Sequence, residues 1–304
     1  MVPIATGVDG LLLVDKPAGV SSHDAVLVAR RALGEKRIGH AGTLDPFATG
    51  LLVMLVGRAT RLLPYVPDEP KVYDVEIAFG SETDTEDLLG TVTRTAAMPS
   101  RRAVMDALPG LTGDVAHVPP AFSAKRVGGR RAYAMARSGE PVELKSVRVR
   151  VDAWDALAWD GTDAAVSTLR ARITCGGGTY VRALARDLGR ASGSAAHVKS
   201  LRRVRAGVFD VADALSLGDV QRGGIRARPA LDALPHVPRV PLDDQQLLAI
   251  VRGQAIDART DAAAVALTNA ENGVLVAYAE RKDAQWWPRV VMRAVDDGGG
   301  VVAP

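Results

Sequence analysis

Gly39-His40-Ala41-Gly42-Thr43-Leu44-Asp45-Pro46-Phe47-Ala48-Thr49-Gly50 passes directly into Leu51-Leu52-Val53-Met54-Leu55-Val56-Gly57, and this junction of loop and apolar run organises the chain. At its centre Pro46 fixes its own φ and drives Asp45 out of the helical region toward an extended conformation. Gly39, Gly42 and Gly50 open backbone geometries closed to other residues, so a bulky ligand has room beside the main chain. Leu51 to Val56 is too short for a free-standing helix and apolar throughout, the pattern of a strand buried on both faces. A carboxylate anchored beside such a strand is held still, as a catalytic group requires. Taken alone, an Asp-Pro pair fits better as a loop aspartate capping a turn.

The totals narrow the class. A chain of 304 residues allows one to two domains, including a catalytic unit of about 200 residues with a sizeable core. Hydrophobic content of 47% and a mean hydropathy of +0.06 exclude wholesale disorder. No apolar run reaches the roughly 18 residues that span a bilayer. Met1 to Gly10 lacks the basic start and apolar core of a secretory signal. Cys175, the one cysteine, has no internal disulfide partner, and no Cys/His spacing suggests zinc. A cytoplasmic, metal-free protein without a membrane partner is expected. A net charge of +3 says little alone. Its distribution says more: Lys125-Arg126 to Arg137, Lys145 to Arg150 and Lys199 to Arg205 are basic clusters. Each fits a solvated face, but three together favour a polyanionic partner, and arginine suits bidentate phosphate contacts.

Taken in order, Gly10 to Asp15 reads as a buried strand closed by the turn Lys16-Pro17-Ala18-Gly19. Ser21-Ser22 then cap a helix that Gly34 ends. Gly57 to Leu63 is expected as a short helix. Lys71 to Phe79 alternates as a strand, with Tyr73, Val75, Ile77 and Phe79 on its more apolar face; Tyr73 is core or pocket wall. Glu82 to Asp87 fails the calcium-loop pattern and is expected as a solvated acidic turn, structural or edging a cleft. Ser100 to Leu108 and Arg131 to Arg137 read as helices, Val147 to Val151 and Val166 to Cys175 as strands, and Gly176 to Gly189 as a turn from strand into helix. Pro235, Pro238 and Pro241 mark a linker. Beyond it, a helix from Leu242 to Gly253 and strands at Gly273–Ala279 and Val290–Val295 suggest a small β-rich unit. The expected domains are 1–234 and 235–304.

Gly39 to Gly50, written Gly-His-x-Gly-Thr-Leu-Asp-Pro-x-Ala-(Thr/Ser)-Gly, resembles the signature of the pseudouridine synthases of the TruB type, which isomerise a uridine in the T arm of transfer RNA. Lys16 to Asp24 follows a Lys-Pro-x-Gly-x-(Ser/Thr)-Ser-x-Asp pattern that also occurs in this family. Pro119 to Arg137 is similar to a second signature, with Arg126 where the family usually has lysine. Gly177-Gly178-Thr179-Tyr180-Val181-Arg182 to Gly189 resembles a third, and Ala196-His197-Val198 to Leu201-Arg202-Arg203 a fourth. The likeness is strong over about residues 9 to 210. It implies an α+β fold: a pseudouridine-synthase-type catalytic domain around a mixed, largely antiparallel sheet, with a small β-rich, PUA-like C-terminal domain.

The resemblance also implies roles. Asp45 is the nucleophile at the sugar or assists formation of a glycal, and both routes use its charged form. Arg182 pairs with Asp45 and lowers its pKa. Tyr73 stacks on the flipped base and is the candidate for C5 deprotonation, Tyr180 floors the site, and Leu201 walls it. His40 occupies the space vacated by the flipped nucleotide. Lys125, Arg126, Arg130, Arg131, Arg202, Arg203 and Arg205 hold phosphates. Lys16, Pro17, Gly42, Leu44, Pro46 and Gly50 are architectural, with a phosphate contact as the alternative for Lys16. Isomerisation takes no group from outside, so no cofactor is implied. The implied substrate site is uridine-55 in the tRNA T-arm stem-loop, bound by a monomer with no protein partner. A competing reading is an RNA-binding folding factor whose catalysis is dispensable. Metal-dependent phosphodiester cleavage lacks the clustered carboxylates or histidines it would need.

Overall fold

Distant motifs meet because they lie on neighbouring strands of one eleven-stranded mixed sheet. The structure, a computed structural model, describes residues 9–123, 126–127, 130–131, 135 and 144–292. The chain opens with β1 (Gly10–Lys16), α1 (Ser22–Leu33), β2 (Ile38–Ala41) and β3 (Thr49–Val56). After a 3-10 helix (Gly57–Tyr65) come β4 (Lys71–Phe79) and the hairpin of β5 (Ser81–Thr83) and β6 (Val92–Thr95). Next are α2 (Arg101–Ala107), β7 (Gly113–His117), the short pair β8 (Arg126–Val127) and β9 (Arg130–Arg131), then β10 (Val147–Thr162) and β11 (Ala165–Cys175). α3 (Val181–Ala191) and β12 (Ala196–Ala206) follow, with β13 (Phe209–Asp210), β14 (Leu215–Ser216), α4 (Leu217–Arg222) and β15 (Arg228–Pro229) behind them.

Along the sheet the order is β14-β1-β3-β12-β4-β11-β10-β7. β12 runs parallel to β3 and antiparallel to β4, which brings the loop before β3 beside the strand that carries Tyr73. β3 is buried on both faces, as its composition requires: Leu51, Val53 and Leu55 join one apolar cluster, Leu52, Met54 and Val56 another. α1 starts at a capping box between Ser21 and Asp24 and stops at Gly34, whose φ of 64° is left-handed.

Two differences from the sequence reading matter. β12 is a central strand that the motif Ala196 to Arg203 did not announce, because its buried residues are interrupted by arginines. β10 extends to Thr162 rather than ending at Val151; its partners on β11 supply the ladder that its irregular, twice-bulged alternation conceals. The expected helix from Arg131 to Arg137 lies largely outside the described residues.

A second, five-stranded sheet is built from β16 (Arg239–Leu242), β17 (Ile256–Asp257), β18 (Ala264–Asn269), β19 (Leu275–Lys282) and β20 (Gln285–Val291), with α5 (Asp244–Val251) packed on it. It is not loosely appended. Tyr278, Val290 and Met292 share one apolar cluster with Leu55, Leu62 and Leu231. Arg58 and Arg61 donate to the carbonyls of Met292 and Val291 (2.9 and 3.0 Å), and the Tyr65 and Tyr278 rings lie 4.2 Å apart. No helix among the described residues is long and apolar enough to cross a membrane.

Candidate active site

The loop before β3 is bolted down from beneath. Ser22 Oγ accepts from the Leu44 N–H (2.9 Å) and donates to its carbonyl (3.0 Å). The Gly19 N–H donates to the Pro46 carbonyl at 2.8 Å. Lys16 is buried and donates to the carbonyls of Pro17 and Val20 at 2.9 and 2.7 Å. Burial lowers its pKa to about 8, against the opposing pull of the Asp45 carboxylate. These bonds occupy the ammonium with loop carbonyls, so its place is architectural. Gly50 is forced: φ is 102°, and a Cβ there would lie 2.2 Å from the Arg203 carbonyl.

Arg182, in the first turn of α3, meets Asp45 through a bidentate pair, Nε to Oδ2 at 2.8 Å and Nη2 to Oδ1 at 3.1 Å. Its remaining donors reach the carbonyls of Thr85 (2.6 Å) and Phe122 (2.9 Å), and Asp87 lies at 3.9 Å. The exposures are unequal: the Arg182 side chain is 3% exposed and that of Asp45 is 34%. A buried, fully engaged cation therefore aims a reachable carboxylate. The fork also presents two parallel charge-assisted bonds, which fixes the plane of the carboxyl group.

Beyond Asp45 opens a cavity of about 240 Å³ lined by Gly42, Lys71, Tyr73, Tyr180, Leu201 and Arg203, among others. Leu201 stands opposite Val75 and Arg203 opposite Tyr73 in the β12–β4 register, so all four side chains share one face of the sheet. Burial raises the Tyr73 pKa, while the Arg203 guanidinium beside it works the other way. Tyr180 is the N-cap of α3. Its N–H donates to His117 Nε2 at 3.2 Å, and the two rings stack at 6.1 Å with a 12° tilt.

Several expectations change here. Arg203 is not a surface phosphate contact: it is wholly buried, donating to the carbonyls of Leu51 (2.7 Å) and Gly42 (3.0 Å). Arg202 points to the other face, with Asp74, and forks onto Asp15 at 3.0 and 2.7 Å. Arg205 is exposed, 3.8 Å from Asp210. Neither lines the cleft. Lys125 and the side chains of Arg126, Arg130 and Arg131 lie outside the described residues. His40 sits on β2 rather than in a loop, half-buried, with burial lowering its pKa.

The acidic stretch is likewise not a solvated turn. Glu82, Glu86 and Asp87 are buried. Glu82 takes Arg94 and Arg190 at 2.7 Å each, Glu86 pairs with Arg186, and Asp87 stands near Arg182. Burial pushes the Glu82 carboxyl up, but bonds from its two arginines outweigh it and hold it below the usual range. Sequence reading missed these partners, although Arg182, Arg186 and Arg190 at four-residue spacing on one helix face carried the signal. Among the described residues no group of three or more His, Cys, Asp or Glu side chains could hold a metal ion.

Solved structures that share this fold include an H/ACA RNP bound to a substrate RNA containing 2′-deoxyuridine (TM-score 0.66, 21% identity, covering 93% of this chain and 84% of that one). An archaeal box H/ACA sRNP complex matches with TM-score 0.66 and 21% identity over 97% of this chain and 89% of that one. Residues 30–181 match the TruB family pseudouridylate synthase N-terminal domain, and residues 182–234 the tRNA pseudouridylate synthase B C-terminal domain. Curated relatives are the tRNA pseudouridine synthase B of Thermobifida fusca, 40% identical over 93% of this chain and 98% of that protein, and that of Mycobacterium tuberculosis, 41% identical over 86% and 83%. That of Paracoccus denitrificans is 45% identical over 71% of each chain. The chain belongs to the TruB family.

Proposed function

We propose that this chain is a tRNA pseudouridine synthase that isomerises uridine-55 of the T arm. The observation that carries the reading is the bidentate Arg182–Asp45 pair opening onto a tyrosine-walled cavity. Family membership and the names of the relatives support tRNA as the substrate. The reaction breaks C1′–N1, turns the uracil and joins C1′ to C5; the C5 proton leaves and N1 is left to be protonated. Asp45, oriented by the Arg182 fork, acts at the sugar as nucleophile or as the group that assists a glycal. Both routes use the same carboxylate. Tyr73 as phenolate takes the C5 proton and becomes the neutral phenol, and Arg203 beside its hydroxyl favours the phenolate that this step consumes. Leu201 and Tyr180 wall the turning base.

A uridine reaches this carboxylate only when unstacked from its helix. Burial lowers the His40 pKa and disfavours its cation, so the residue suits the space that the flipped nucleotide leaves better than it suits a phosphate. We assign residues 1–234 to the catalytic domain and 235–304 to a PUA-like RNA-binding domain, and Lys125, Arg126, Arg130 and Arg131 to phosphate contacts.

The test is tritium release from a tRNA transcript labelled at uridine C5, in EDTA. Wild type should release tritium, and Asp45→Asn should lose more than about 1,000-fold in rate. RNA affinity should stay within about tenfold, because phosphate contacts dominate binding. No release by wild type, with binding and annealing of the transcript intact, would replace this reading with the folding factor.

A further inference from the structure

α3 carries Arg182, Arg186 and Arg190 in successive turns: the first two engage the turn between β5 and β6, and Arg190 engages Glu82 on β5 itself. The outer rung, Arg190 to Glu82, has its arginine side chain 56% exposed. The middle rung, Arg186 to Glu86, is buried on both sides. Glu86 holds a left-handed φ of 62°, rare for a side chain of its kind, and its carbonyl accepts the Val198 N–H at 3.1 Å. A strained backbone kept in place by β12 thus presents a buried carboxylate to Arg186.

The same two arginines hold a second segment. Arg186 Nη2 donates to the Val118 carbonyl at 3.0 Å, and Arg182 Nη2 donates to that of Phe122 at 2.9 Å. Residues 118–122 are therefore gripped near both ends from adjacent turns of one helix. The Phe122 carbonyl shares Nη2 with Asp45, so a shift of this strap moves the fork that aims the carboxylate. We propose that Arg186, oriented by Glu86, is a positioning residue for the Asp45–Arg182 pair: it clamps Val118 so that the Phe122 carbonyl stays on Arg182. The inference rests on the catalytic reading above.

The test uses the same tritium assay on the full chain, read as kcat and KM separately. Arg186→Lys keeps the charge but loses the planar fork, so it cannot hold Glu86 and Val118 in the same geometry; kcat should fall about tenfold with KM within about threefold. Arg190→Lys makes the same change on the outer rung and should stay within about twofold of wild type. Glu86→Gln keeps the acceptor oxygen, and Asp187 at 2.8 Å still balances the charge of Arg186, so kcat should also remain within about twofold. Equal losses in Arg186→Lys and Arg190→Lys, or a rise in KM with kcat intact, would overturn the clamp. Should Arg186→Lys fail to fold, Glu86→Asp against Glu86→Gln makes the same test: the shortened side chain loses kcat and the isosteric one keeps it, whereas equal rates overturn the proposal. Absence of release from wild type would instead remove the catalytic assignment.

Discussion

On the cleft face of the sheet Arg182 forks onto Asp45 at 2.8 and 3.1 Å; on the opposite face Arg172 forks onto Asp74 at 2.7 and 2.9 Å. By distance the second pair is the better one. By surroundings the two are unlike: Arg172 and Asp74 are 46% and 37% exposed, Arg182 is 3% exposed and its donors are shared with two carbonyls. An exposed pair competes with water and salt, and contributes about 0–1 kcal/mol. A buried arginine has lost its water, so each partner it keeps is needed, and removing one leaves a charge or carbonyl unsatisfied. Geometry alone does not rank these contacts. Burial does.

That contrast can be broken by experiment. The largest effect on stability should come from Arg203→Met, which strips donors from the buried carbonyls of Leu51 and Gly42; a loss of about 3 kcal/mol in denaturant unfolding is expected. A loss below about 1 kcal/mol would show that water or neighbouring groups replace the guanidinium. Lys16 gives an intermediate effect with a pH signature. Its folded pKa of about 8 lies below the ordinary lysine value of 10.5, so the unfolded chain binds more protons between those values. Its contribution should therefore be greatest above pH 10.5 and be lost as pH falls toward 8. Lys16→Met should lack this rise, so the wild-type minus variant stability should climb between pH 8 and pH 10.5, measured by unfolding at a series of pH values. A parallel pair of curves would mean that the bonds to Pro17 and Val20 fully offset desolvation. Smallest of all, Arg172→Ala should cost less than about 1 kcal/mol and leave the tritium-release rate unchanged. If it costs as much as Arg203→Met, exposure is not what separates the two faces.

Much of the frame was legible in local pattern. β1, α1, β3 and β4 fall where their composition places them, because capping, periodicity and the apolar run at Leu51 to Val56 are nearest-neighbour properties. Asp45 stood out for the same reason: its glycines and proline are adjacent to it. The basic residues of β12 were harder. Arg202 and Arg203 read alike in sequence, yet one forks onto Asp15 on the outer face and the other is sealed beside Tyr73. The acidic stretch Glu82 to Asp87 reads as solvated in sequence, since nothing within it tells that three arginines of α3 cover it.

The sequence by itself determined the frame of β1, α1, β3 and β4, the cap of α1 and the chemical identities available: a carboxylate on a glycine-punctuated loop, an arginine opening a helix, tyrosines near strand and helix starts. Tertiary structure decided which charges are buried, which carbonyls hold Arg182 in place, and which face of β12 meets the cavity. The reason is the two-residue period of a strand. Neighbouring side chains on β12 point to opposite faces, and their sides are set by pairing with β4, a strand far away in the chain.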